Sequence, residues 1–139
     1  MLLDLALKSD EVVEILEHYD LTVVYDFDRL RENTPDLYWA SAHRPGFELR
    51  FNERQVLDTV FLYARPRGEF LGVDPELTDV PFYGSFADAR RSFVQNDVAF
   101  QEESQRNWIR GRFVDHSIHY EFDSDGALGL VTFAALPSA

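Results

Sequence analysis

The sequence predicts an α+β protein in which two helices pack on a mostly antiparallel sheet, and three observations carry that prediction. Residues 9–19 place Val12, Ile15, Leu16 and Tyr19 at helical intervals, which gives one apolar face. Phe47, Leu49 and Phe51 alternate with Glu48 and Arg50, the pattern of a strand with one buried and one wet face. Residues 49–62 can also be laid over residues 120–133: at an offset of 71, Phe51 falls on Phe122, Asn52 on Asp123, Leu57 on Leu128 and Val60 on Val131. Each copy reads as strand, polar turn, strand, with a tryptophan upstream (Trp39 and Trp108) and a helix-like segment before that. The expectation is a single domain, 1–139, organised as a tandem helix-plus-hairpin repeat with halves 1–64 and 82–139 joined by loop 65–81.

In chain order, Ser9 is placed to cap the first helix, where Asp10 and Glu11 suit the positive end of its dipole. Residues 21–25 are β-rich and read as a short strand, and Asn33-Thr34-Pro35 ends whatever lies between. Residues 36–42 read as a strand and 43–46 as a turn, because Pro45 and Gly46 supply turn geometry. The strand 47–51 follows, then a turn at 52–55 and a returning strand at 56–63. Three prolines and two glycines preclude a long regular element between residues 64 and 81. Ser85 caps a second helix at 86–94 with Phe86, Ala89 and Phe93 as its buried stripe and Asp88 at the reciprocal capping position. Residues 100–105 read as a connector and 106–114 as a strand, after which Ile118, Tyr120 and Phe122 alternate. Asp123 to Gly126 is a tight turn before a closing strand at 128–136.

A hydrophobic fraction of 45% with twelve Phe excludes a disordered chain. Against 13 basic residues stand 25 acidic ones, a net charge of -12 that repels nucleic-acid phosphates and anionic lipid and favours a basic partner. With no cysteine there is no disulfide and no thiolate chemistry. The N-terminus lacks a basic n-region and is interrupted by Asp4, so it does not read as a signal peptide; a cytoplasmic location is expected.

Catalytic and metal motifs are weak. Asp123-x-Asp125-Gly126 begins like a calcium loop, but the ligands that should follow are replaced by apolar residues, and a hairpin turn explains it. His116 and His119, three apart on a strand, fall on opposite faces and cannot share one ion. His18 and His43 have no serine or acid at a telling spacing, and carboxylate pairs are common by chance in so acidic a chain. Neither an enzyme nor a cofactor is expected. What stands out is an interaction signal: Asp74, Glu76 and Asp79 surround apolar Val73, Leu77 and Val80, and Glu102 and Glu103 occupy the connector after Phe100.

The hairpin 47–63, the run 79–90 leading into a helix, and the terminal segment 118–133 resemble those of small cytosolic immunity proteins encoded beside antibacterial toxins of the polymorphic-toxin, type VI secretion and pyocin kinds. The resemblance implies a protein that binds one cognate toxin and blocks it, with Asp74, Glu76, Asp79, Glu102 and Glu103 as the toxin-binding candidates. Two other readings stay open. One is an adaptor or chaperone for a secreted effector; the other, ranked third, is an enzyme or small-molecule-binding domain using an aromatic pocket that includes Trp39, Trp108 and Tyr120, with carboxylates supplied by loops.

Overall fold

Eight short strands among the described residues build one antiparallel sheet, and a single described α-helix packs on one of its faces. A computed structural model of the chain describes residues 22–26 (as backbone), 37–75 and 80–136. The strands are β1 (Thr22–Asp26), β2 (Leu37–Ala42), β3 (Phe47–Phe51), β4 (Leu57–Tyr63), β5 (Ala99–Glu103), β6 (Trp108–Arg112), β7 (His116–Phe122) and β8 (Leu128–Ala135). Helix α1 (Phe86–Gln95) precedes β5. Spatial order is β1-β2-β3-β4-β8-β7-β6-β5. Two four-stranded meanders therefore meet through their last strands, β4 and β8, which pair antiparallel with Leu62 opposite Val131.

This corrects the expected architecture. Two helices packed on a sheet are not what the described residues show: one α-helix and a 3-10 turn (Ser104–Arg106) accompany eight strands, and the helix expected over 9–19 lies outside the described residues. The strand that sequence reading missed is β5. Residues 100–105 looked like a connector because an edge strand needs no apolar alternation; three of the five β5 residues, Ala99, Gln101 and Glu102, are exposed.

The two inner hairpins share local detail at positions 71 apart. In each, the register breaks just before the turn, between Arg50 and Phe51 and between Glu121 and Phe122, so that Phe51 faces Leu57 and Phe122 faces Leu128. The turns close alike: Asn52 N donates to Val56 O at 2.9 Å, and Asp123 N donates to Ala127 O at 2.8 Å. The residue after the bend is left-handed in both, Gln55 at φ 62° and Gly126 at φ 86°. Asn52 starts the first turn because its side-chain oxygen accepts the amides of Arg54 and Val56, and Asp123 starts the second through its carbonyl, which accepts from Gly126 N, while Asp125 takes the amide of Ala127.

On the helix face, Leu49, Phe51, Leu62, Val131, Tyr120 and Ile109 are buried, and α1 packs Ala89 and Phe93 into the part of this core that holds Leu62, Ile109, Tyr120 and Val131. Ser85 caps the helix by accepting from Asp88 N at 3.2 Å. The reciprocal arm of the expected capping box is not made; Asp88 pairs with Arg91 at 3.3 Å instead. Gly111 permits the close approach, for a Cβ there would lie 2.8 Å from the Phe93 ring. The segment after β4 folds back on the first hairpin rather than running free. Leu71 N donates to His43 O, Val73 N donates to Tyr63 O, and the Phe70 ring stacks on Tyr63 at 4.3 Å.

Candidate binding surface

The face of the sheet opposite α1 carries no helix among the described residues. Register assigns its side chains: Trp39 and Ser41 on β2 face the same way as Glu48 and Arg50 on β3, and Trp108, Arg110 and Arg112 on β6 the same way as Ser117, His119 and Glu121 on β7. Both tryptophans thus lie on this face. Trp39 stacks on Phe61 at 5.9 Å, and Trp108 meets the His119 ring in a tilted contact at 5.1 Å with the Arg110 guanidinium 5.6 Å above the indole.

His119 sits in a polar chain. Arg110 Nε donates to His119 Nδ1 at 3.1 Å, and Nε2 of the same ring is 3.6 Å from Glu121. A ring nitrogen that accepts from arginine carries no proton, so the imidazole is held neutral. Burial, followed by the charge of Arg110, pushes its pKa down from the usual 6.5, against an opposing pull from Glu121. His116 behaves differently. Its ring is layered between Phe113 at 4.8 Å and Phe133 at 4.4 Å, while Nδ1 meets Asp115 at 2.6 Å, a bond that holds the Asp115 carboxyl below its ordinary range. The two histidines stand on opposite faces of β7, as their spacing requires. Among the described residues, no group of three or more His, Cys, Asp or Glu is placed to hold a metal ion.

Among the described residues, the candidate acids are not gathered into one place. Asp74 is exposed just beyond buried Val73, where the loop leaves the first meander, and it has interactions of its own. Glu76 and Asp79 lie outside the described residues. Glu102 and Glu103 belong to edge strand β5 rather than to a connector. Each has an internal cation: Arg90 Nε is 3.1 Å from Glu102, and Arg106 Nε is 3.2 Å from Glu103. Tyr120, grouped with the tryptophans by sequence, belongs to the core instead. Its hydroxyl donates to Pro81 O at 2.9 Å, its ring meets Tyr83 at 5.1 Å, and burial pushes its phenol pKa up.

Sequence reasoning passed over a groove of about 340 Å³ on this face, lined by residues that include Gln101, Arg110, Arg112 and Ser117. The alternation of arginine with glycine in Arg110-Gly111-Arg112 was its signal, because it puts both cations on one side of a strand. No protein-family model matches the chain, and comparisons with curated proteins and with solved structures found no match.

Proposed function

We propose that this chain is a cytoplasmic immunity protein that neutralises a cognate antibacterial toxin by direct contact through an acidic surface. The observation that carries the reading is a net charge of -12 on a folded chain whose exposed edge strand presents two of the acids, Glu102 and Glu103. An edge strand offers unpaired backbone groups that a partner strand can meet, and the flanking carboxylates select a basic one. The ion pairs of Glu102 with Arg90 and of Glu103 with Arg106 are exposed, so exchanging the internal arginine for a partner's cation costs little. A toxin that acts on nucleic acid or nucleotides needs a basic cleft, and a negative inhibitor is steered towards it. No described helix is long and apolar enough to cross a membrane.

The test is co-expression of this chain with the product of the gene beside its own in a bacterial host, coupled to a pull-down over a salt series. Rescue with a one-to-one complex that weakens as salt rises is the expected result. A complex without rescue would transfer the reading to an effector adaptor, and the absence of both would refute it.

A further inference from the structure

Arg110 and Arg112 stand two positions apart on β6 and project from the same face, the one away from α1. Like charges at that spacing repel, and a sheet ordinarily relieves the repulsion with carboxylates at the cross-strand positions. Here none of the four flanking positions carries one. Arg110 lies between Gln101 and His119, and Arg112 between Ala99 and Ser117. The chain has acids to spare, and arginines elsewhere use them: Arg50 pairs with Asp58, Arg65 with Asp123 and Asp125, Arg90 with Glu102 and Arg106 with Glu103. Arg44, Arg54 and Arg67 also lack a carboxylate partner among the described residues, but they are scattered over separate turns.

The two cations also share the groove of about 340 Å³, where Ser117, 8% exposed, supplies a hydroxyl and Gln101 an amide. Arg110 is held in place before any ligand arrives. Its Nε is committed to His119 and its guanidinium lies over Trp108, which leaves its two terminal nitrogens as free donors in a fixed plane.

We propose that Arg110 and Arg112, with Ser117 and Gln101, form a binding subsite for an oxyanion, the phosphate or carboxylate group of a small ligand. Two guanidinium groups on one strand face can share the oxygens of a single anion, and charge-assisted bonds of this kind are the strong ones. The charge of the whole molecule opposes anions, so binding here requires a local positive field, which the lack of a carboxylate at the four flanking positions and in the groove lining favours, the nearby Glu121 being engaged with His119. The subsite is independent of the toxin-binding reading, since it involves none of the acids assigned there.

The experiment is an amide NMR titration with inorganic phosphate and, separately, with acetate, each against sodium chloride at matched ionic strength. Saturable shifts clustered at Gln101, Arg110, Arg112 and Ser117 are expected with at least one of the two anions, and the stronger response assigns the ligand as phosphoryl or carboxylate. Arg112→Ala should weaken the response by about tenfold or more, whereas Arg54→Ala, which removes an exposed cation from a turn, should leave it unchanged. Arg112 is exposed, so the amide spectrum of its variant reports directly that the fold is retained. Shifts that match those of chloride, that rise without saturating, or that survive Arg112→Ala would overturn the proposal.

Discussion

Gly111 is where the absence of a side chain matters most to the helix–sheet contact. A methyl group there would meet the Phe93 ring, which is itself packed against Phe100 and Tyr120, so the ring has little room to retreat. Gly111→Ala should cost about 1–3 kcal/mol by overpacking, measured by urea unfolding. Combining it with Phe93→Leu should cost less than the sum of the two single changes, because the shorter side chain vacates the space. Tyr120 tests a different link, since its hydroxyl ties β7 to Pro81 at the end of the loop segment. Tyr120→Phe should lose about 1 kcal/mol while leaving the far-UV circular dichroism unchanged. His119 gives the pH dependence. Its native pKa lies below 6.5, so between that value and the native pKa the unfolded chain binds a proton that the folded one does not. This contribution is complete above pH 6.5 and is lost as pH falls through that window. Stability should therefore decline from neutral towards mildly acidic pH, and His119→Gln should flatten the slope in a series of urea midpoints.

Among the elements, the hairpins show why some local structure is legible in a sequence. Asn52 accepts the amides of Arg54 and Val56 through its short side chain, Asp125 accepts that of Ala127, Gly126 tolerates a positive φ, and alternation assigns Leu49 and Phe51 to the buried face. Helix α1 was equally legible, from the Ser85 cap and the Phe86, Ala89, Phe93 stripe, to within one residue of its end. Strand β5 was not. Its partner β6 supplies all of its inter-strand hydrogen bonds, and its own residues carry no periodicity that separates an edge strand from a connector. A mobile, unpaired 99–103 would exchange its amides at the rate of a loop; paired as an edge strand, the amides that bond to β6 should be protected. Hydrogen exchange across this segment should show alternating protection, with the outward-facing amides exchanging fast.

The whole molecule is held together at its centre by two strands that are distant in sequence, and its surface charge sets which partners it can approach. Pairing of Val60 with Phe133 and Leu62 with Val131 fuses the meanders into one sheet, and the core cluster under α1 takes in Leu62, Val131 and Phe133 from this seam. The described acidic residues lie around this frame rather than in a single cluster, an arrangement that under the proposed function would act first on the rate of encounter. Replacing Asp74, Glu76 and Asp79 together by Ser should slow association with a basic toxin and reduce its salt dependence while leaving the melting temperature within a few degrees. Stopped-flow association at two ionic strengths checks this. An unchanged rate and salt slope would remove that loop from the interface.

By itself the sequence determined the inner hairpins, their turns, the cap of α1, the wet and buried sides of β3 and β7, and the net charge, because each depends on composition or on residues a few positions apart. Tertiary structure alone decided that β4 and β8 meet, that 99–103 is a strand, that Tyr120 is core while Trp39 and Trp108 line the other face, and that Arg110 and Arg112 share a groove free of carboxylates. Those outcomes depend on which strand lies beside which, and pairings between residues some 70 positions apart are selected by the burial of the whole sheet rather than by any local pattern.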